Sequence, residues 1–177
     1  MNHLLVSVVI VNWNGKEHLE HCLPSVLKQT YGNYEVIVVD NCSNDGSVEY
    51  VERDYPQVLL IRNKENLGFA KANNIGIKGA KGNYIATLNN DTIVDSHWLS
   101  ELVKAAEGNR KVGMVASKMI RPFPHNIIDS TGVVMDKAGT SYDRGQGKQD
   151  LGQFETRQEV FGPCAGAALW RRDMLAQ

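Results

Sequence analysis

Apolar and polar positions alternate in blocks along the 177-residue chain. Five runs are dominated by apolar residues, at 4–11, 35–40, 58–61, 84–88 and 112–116. Such runs, which lack a strict two-residue alternation, are typical of strands buried on both faces of a parallel sheet. The segments between them carry apolar residues at helical spacing. We therefore predict an α/β fold, doubly wound, with a mostly parallel sheet and helices on both of its faces.

Two of the predicted helices contain residues that bear on their bounds. The first has apolar side chains at Leu19, Leu23 and Val26. Pro24 lies among them and should kink or divide this helix, because proline lacks the N–H that an inner helical turn needs. A later helix should begin near Ser96, whose side chain suits the N-cap position.

The pattern changes after residue 117. We predict a strand within residues 127–135 and a small-residue strand at 165–170, with the first turn of a helix after it. Residues 138–154 hold several glycines among polar residues and show no clear period. We expect them to form a long irregular excursion, and loops of that length are often functional or disordered.

Polar side chains follow three of the predicted strands. Asn12 and Asn14 come after the first strand, residues 40–45 after the second, and residues 89–91 after the strand at 84–88. In a parallel sheet these strand ends share one edge, where ligands of open α/β sheets bind. We therefore expect one crevice lined by carboxylates and amides.

Residues 89–91 have two interpretations. The carboxylate of Asp91 and the amides of Asn89 and Asn90 offer hard oxygen ligands, which suit Mg²⁺ or Mn²⁺. Asn and Asp also close turns on their own backbone, so an ordinary turn fits equally well. The pattern alone leaves both open.

The composition limits the classes of function. A net charge of -1 gives no general attraction to nucleic acid, so no such partner is predicted. Three widely spaced cysteines without a CxxC pair argue against a disulfide framework or a structural zinc site, and favour a reducing cytoplasm. No apolar run approaches the ~20 residues of a membrane span, and we predict neither a signal peptide nor an anchor. The length suits a single domain.

The two common phosphate-binding loops are absent. Neither Walker A nor a GxGxxG motif after the first strand is found. A crevice lined by acids and amides would bind a diphosphate only through a metal ion. The candidate ligand is therefore a nucleotide whose base and ribose meet Asp40 and whose phosphates reach Asp91 through a cation. Alternatively, the carboxylate of Asp40 caps the turn that follows it.

Five motifs, in the expected order, resemble the amino-terminal part of family 2 glycosyltransferases. They occupy residues 9–15, 23–26, 38–46, 66–76 and 88–92, and the resemblance extends over roughly residues 4–175. It implies the GT-A fold, which is Rossmann-like, and transfer of a sugar with inversion. The implied donor is a dTDP-, UDP- or GDP-linked sugar, and the implied acceptor is a saccharide or a lipid-linked molecule. Similar proteins, among them rhamnosyltransferases, build cell-surface polysaccharides, which implies a cytoplasmic enzyme, peripheral at the inner membrane face.

The resemblance also implies roles for single residues. Asn89 and Asp91 stand where the DxD motif of the family holds a metal ion, Mg²⁺ or Mn²⁺. Donor contacts are implied for Val11, Asn12, Asn14, Asp40, Ser43, Asn73 and Asn90. Two of these residues have structural alternatives, since Ser43 could shape its loop and Asn73 could connect its helix to a loop.

Two features depart from the family pattern. Asn89 replaces the first aspartate of the motif, so we expect the metal to bind together with the donor diphosphate. No residue matches the general base of the family, which is expected beyond Gln177. We therefore expect the donor-binding domain of a longer enzyme, with a doubly wound donor half at 1–117 and the start of an acceptor half at 118–177.

Other functions remain open at this stage. We expect this chain alone to transfer sugar poorly or not at all. The alternative is a non-catalytic nucleotide-sugar binding or assembly module. A nucleotidyltransferase is disfavoured, because it should carry a glycine-rich, basic loop where this chain has residues 12–15.

Overall fold

The computed structural model describes residues 4–175. Its helices are α1 (Lys16–Val26), α2 (Ser47–Asp54), α3 (Phe69–Gly79), α4 (Trp98–Glu107) and α5 (Arg172–Leu175). Its strands are β1 (Val6–Asn12), β2 (Tyr34–Asp40), β3 (Leu59–Arg62), β4 (Tyr84–Asn89), β5 (Met114–Ala116), β6 (Met119–Arg121), β7 (Ile127–Ser130), β8 (Val133–Met135), β9 (Ser141–Asp143) and β10 (Ala167–Arg171). None of these helices is long and apolar enough to cross a bilayer.

The main sheet has six strands in the order β3-β2-β1-β4-β10-β5. The first four are parallel to one another. Strand β10 lies antiparallel between β4 and β5. The mostly parallel sheet predicted from the sequence is confirmed, with one antiparallel strand inserted near its edge.

Helices cover both faces of this sheet, as predicted. On one face, α1, α2 and α4 bury side chains such as Leu23, Val51 and Leu99 against alternate residues of the central strands. On the other face, α3 packs against Val9 and Val39 and against side chains near them. The alternate residues of β1 and β2 therefore face two separate apolar layers, which explains why these strands read as continuous apolar runs.

Two predicted helix bounds differ from the structure. Pro24 lies inside α1 without dividing it, because the helix ends at Val26 and the missing N–H affects only its last turn. Helix α4 begins at Trp98, and Ser96 is not its N-cap. Asp95 makes the preceding turn instead, since its side chain accepts from the backbone N–H of His97 at 2.8 Å.

The strand predicted within residues 127–135 is two strands. It breaks at Gly132, whose φ of +108° turns the chain between β7 and β8. Strand β7 then pairs with β6, and β8 pairs with β9. The apolar run gave no sign of this break, because the two strands differ in partner rather than in composition.

The excursion at residues 138–154 contains β9 and several hydrogen-bonded turns. Arg144 connects the excursion to residues on either side of it, because its Nε donates to Thr131 Oγ1 at 3.0 Å and its Nη1 to Gln158 Oε1 at 2.7 Å. Its guanidinium carbon lies 5.1 Å from the ring centre of Phe154. Arg144 thus provides contacts for a segment whose sequence has no apolar period.

Candidate functional site

The carboxyl ends of β1, β2 and β4 meet at one edge of the sheet. Asn12 lies opposite Asp40 in the ladder of β1 and β2, and Val11 lies opposite Asn89 in the ladder of β1 and β4. Three segments that are far apart in the sequence therefore end side by side. The structure confirms the shared edge that the strand pattern predicted.

Asn12 is the centre of this edge and is fully buried, with 0% of its surface exposed. Its Nδ2 donates to Asp40 Oδ1 at 3.3 Å and to Ser43 Oγ at 3.2 Å. Its Oδ1 accepts from Asn90 Nδ2 at 2.8 Å. The side chain therefore joins its own strand exit to the other two.

The loops after β1 and β2 hold each other. Ser43 Oγ accepts from the backbone N–H of Asn14 at 2.9 Å, and Asn14 Oδ1 accepts from the backbone N–H of Asn44 at 2.8 Å. Asp40 Oδ2 accepts from the backbone N–H of Ser43 at 3.0 Å. Asn14 takes a positive φ of 48°, a conformation that asparagine tolerates better than most residues. Ser43 thus has the loop-shaping role that was its structural alternative.

Asp45 connects the first turns of two helices. Its carboxylate accepts from the backbone N–H of Lys16 at 2.9 Å and from the hydroxyl and the backbone N–H of Ser47. Burial alone would raise the pKa of Asp45, but the hydrogen bonds from Ser47 and Lys16 outweigh it and lower the pKa below its usual value. An anion at these two helix ends also suits the partial positive charge of the helix dipoles.

Residues 89–91 form a turn that carries two oxygen-bearing side chains of interest, those of Asn89 and Asp91. The backbone carbonyl of Asn89 accepts from Thr92 N–H at 3.2 Å, so the turn interpretation is correct as far as the backbone is concerned. Asn89 Oδ1 is buried and has no hydrogen-bond partner among the described residues. Asp91 is exposed to solvent. A turn former and a cation ligand are therefore compatible roles for this segment.

The residue types present fit a cation that prefers oxygen ligands. An unpartnered amide oxygen on Asn89 and a carboxylate on Asp91 are both hard ligands. Within residues 4–175, no group of three or more His, Cys, Asp or Glu side chains could hold a metal ion. Asn89 and Asp91 would therefore need further ligands to hold a cation, such as the oxygens of a bound phosphate.

A cluster of three amides borders the same edge, and the sequence analysis missed it. Asn41 is 2% exposed; its Nδ2 donates to Asn66 Oδ1 at 2.6 Å, and its Oδ1 accepts from Asn63 Nδ2 at 3.0 Å. The same oxygen accepts from the backbone N–H of Leu67. The sequence shows three asparagines that follow two neighbouring strands. It does not show that their side chains pair with one another.

Asn73 lies on α3, apart from the network around Asn12. It is 9% exposed, and its Nδ2 donates to the carbonyl of Phe69, one turn earlier in the same helix, at 3.0 Å. This bond lies within α3, so it does not connect the helix to a loop, as the structural alternative for Asn73 expected. A direct role for Asn73 stays a prediction.

Solved structures share this fold. Residues of this chain superpose on Staphylococcus aureus TarS 1-349 with a TM-score of 0.68 and 19% identity, covering 98% of this chain and 48% of that one. The mannosyltransferase PcManGT from Pyrobaculum calidifontis gives a TM-score of 0.67 and 22% identity, covering 97% and 45%. These neighbours establish the GT-A fold, which the resemblance in the sequence implied.

Sequence relatives agree. Glycosyltransferase GlyG of Streptococcus pneumoniae serotype 4 is 36% identical over 106 residues, which are 58% of this chain and 35% of GlyG. The uncharacterized glycosyltransferase EpsJ of Bacillus subtilis is 34% identical over 109 residues, 60% of this chain and 31% of EpsJ. The matched part is about a third of the length of these curated relatives. The family model described as Glycosyl transferase family 2 matches residues 7–177, and the chain therefore belongs to that family.

Proposed function

We propose that this chain binds the nucleotide-diphosphate sugar of an inverting glycosyltransferase at the edge where β1, β2 and β4 end. The observation that carries the proposal is the hydrogen-bonded network of Asn12, Asp40 and Asn90, which joins the three strand exits in one place. Proteins of the same fold support it, since TarS has been crystallised with UDP and with UDP-GlcNAc, and PcManGT with GDP-Man and Mn²⁺.

The nucleoside would lie against the exits of β1 and β2. We assign contacts there to Val11, Asn14, Asp40 and Ser43, with Asn73 on the neighbouring helix. Each carboxylate oxygen of Asp40 accepts one hydrogen bond within the protein, and a carboxylate has about four acceptor positions, so capacity remains for a hydroxyl or base N–H. The predicted donor set also includes Asn90, which is half-buried, and Asn12, which is fully buried and would act through its neighbours.

The diphosphate would lie at residues 89–91. We assign the cation, Mg²⁺ or Mn²⁺, to Asn89 and Asp91 together with phosphate oxygens. When bound, such a cation offsets the charge that grows on the leaving diphosphate. Because Asp91 is the only acidic residue of this turn, we expect cation and nucleotide to bind together rather than separately.

The transfer itself needs a base that removes the proton from the acceptor hydroxyl as its oxygen attacks the anomeric carbon. We assign no residue of this chain to that role. The proposed division of labour within one domain is a donor half at residues 1–117 and the beginning of an acceptor half at 118–177. From the family resemblance we also propose a saccharide or lipid-linked acceptor. We propose in the same way a role in cell-surface polysaccharide synthesis at the cytoplasmic side of the membrane.

A second candidate function is a binding or assembly module without transfer. The amide of Asn89, in place of a carboxylate, favours it, because a weak cation site could hold a nucleotide sugar without activating the leaving group. Acceptor-dependent transfer by this chain would exclude the module.

The test is calorimetric titration with UDP, dTDP and GDP, each with and without Mn²⁺. We expect binding of at least one nucleotide that requires Mn²⁺ and is lost in Asp91→Asn. Asp54→Asn is the matched control, because it removes one exposed carboxylate from the end of α2, where the chain approaches the opposite edge of the sheet. A folded wild-type chain that binds none of the three nucleotides would contradict the proposal.

A further inference from the structure

The amide of Asn12 has no surface through which to touch a ligand. It is 0% exposed, and both of its polar atoms bond to protein groups. It nevertheless separates the two sides of the proposed donor site, with Asp40 and Ser43 on one side and Asn90 on the other. Its effect on a ligand must therefore pass through these neighbours.

The orientation of this amide is fixed by what surrounds it. The carboxylate oxygens of Asp40 accept hydrogen bonds, so the Nδ2 of Asn12 has to face them. Oδ1 then faces position 90, which must supply a donor. Asn90 does so through its Nδ2 at 2.8 Å. A rotated amide would place two oxygens against each other on the Asp40 side.

Gly15 provides an independent sign that this bond is enclosed. A Cβ atom at this position would lie 2.2 Å from Asn90 Nδ2 and 2.7 Å from Asn12 Oδ1. The φ of Gly15 is -123°, outside the left-handed region that favours glycine, so crowding rather than a positive φ opposes a side chain here. The backbone of Gly15 thus closes the third side of the Asn12–Asn90 contact.

We propose that Asn12 is a positioning residue that holds the turn at 89–91 in register with Asp40 and Ser43. The inference rests on the proposed donor site. In this arrangement Asn12 joins the nucleoside side to the cation side, and Asn90 transmits its orientation to the backbone that carries Asp91. The cation side keeps its geometry because a buried amide links it to the opposite strand exit.

A double-mutant cycle tests this with the nucleotide of the UDP, dTDP and GDP panel that the wild type binds with Mn²⁺. Asn90→Ala should raise the dissociation constant about fivefold to tenfold, the usual net value of one neutral hydrogen bond. Asn12→Ala should raise it at least as much, because it also removes the bonds to Asp40 and Ser43. Because both variants break the Asn12–Asn90 bond, the double variant should bind no more weakly than the weaker single variant. Multiplying effects, about 25-fold or more together, would overturn the proposal.

Gly15→Ala disturbs the same Asn12–Asn90 contact in a second way, because its added Cβ would crowd both side chains. It should weaken binding by a similar factor and add little when combined with Asn90→Ala. It also serves if Asn12→Ala does not fold, because it leaves the bonds to Asp40 and Ser43 in place. Gly32→Ala is the control, since no atom lies within 4 Å of its added Cβ and the position precedes the amino end of β2, so binding should be unchanged.

Amide exchange in the nucleotide-free chain gives a readout that does not depend on the donor. The N–H of Thr92 closes the turn on Asn89 O. Its exchange should accelerate several-fold in Asn90→Ala and in Gly15→Ala but not in Gly32→Ala. Unchanged exchange would overturn the positioning role. If the wild type binds no nucleotide, the proposed function fails by itself, and the exchange of Thr92 still decides whether Asn12 holds the turn.

Discussion

The thiol of Cys22 donates a hydrogen bond to the backbone carbonyl of Asn89, with the sulfur 3.7 Å from the oxygen. Cys22 lies on α1 and is fully buried. Burial, with a smaller effect from the negative charge of Asp91, raises the pKa of this thiol to about 12. Helix α1 thus contacts the turn at residues 89–91 through the uncharged thiol of Cys22.

The folded chain should therefore show two very different cysteines. With a pKa of about 12, only roughly one Cys22 in ten thousand is a thiolate at pH 8, and the thiolate is the reactive form. Cys42 is exposed. We expect N-ethylmaleimide at pH 8 to label Cys42 quickly and Cys22 only after unfolding in urea, as mapped by peptide mass spectrometry. Equal labelling rates in the folded chain would contradict the buried position of Cys22.

Gly76→Ala should destabilise the chain, although alanine is the better helix former. A Cβ at position 76 would lie 2.4 Å from Val9 Cγ1 and 3.0 Å from Val39 Cγ2, where α3 crosses the sheet. Overpacking of this kind costs about 1–3 kcal/mol, which outweighs a helix propensity gain of about 1 kcal/mol. Urea unfolding measures the difference. Gly32→Ala is the control, because no atom lies within 4 Å of its added Cβ, and it should leave stability nearly unchanged.

Asp45→Asn should reduce stability in a pH-dependent way. The pKa of Asp45 is lowered in the folded chain, so its charge stabilises the fold above the unfolded value, about 3.9, and this contribution is lost as the pH falls through the folded pKa. The stability difference between wild type and variant should thus be largest near neutral pH and shrink in acid. Urea unfolding from pH 7 to pH 3 measures it. A difference that grows toward acid would contradict the assignment.

Asn41→Ala should loosen the segment between β3 and α3. The substitution removes the partner of Asn63 and Asn66 and of the backbone N–H of Leu67. Loss of a buried partner costs about 1–3 kcal/mol. We expect lower stability in urea and faster amide exchange at Leu67. Asn74→Ala, which changes an exposed asparagine of α3, should have neither effect; equal effects of the two variants would show that the cluster contributes nothing.

The parts of the fold that depend on local pattern were predictable. Strands β1 to β4 and the helices between them follow from apolar runs and helical spacing, because each strand pairs with a parallel neighbour. The position of β10 was not predictable, since its partner β4 lies nearly half the length of the chain earlier in the sequence. The break at Gly132 was missed for a related reason. The two halves of the predicted strand, β7 and β8, pair with different strands.

In the candidate site, too, some features were predictable from the sequence and others were not. The spacing of polar residues after strands placed Asn12, Asp40 and Asn89 at one edge. It did not reveal that Asn12 is fully enclosed, because an asparagine that binds a ligand and one that binds other side chains look alike in a sequence. Nor did it reveal that Asn41 pairs with Asn63 and Asn66, since that contact forms only when two strand exits lie side by side.

The insertion of β10 between β4 and β5 has a consequence for how the protein is made. Until residues 166–171 leave the ribosome, β4 has an unpaired edge, which is able to pair with another chain. The backbone N–H of Asn89 receives its partner, the carbonyl of Gly166, at the same moment. The turn that carries Asp91 therefore reaches its final form only after β10 has docked beside β4.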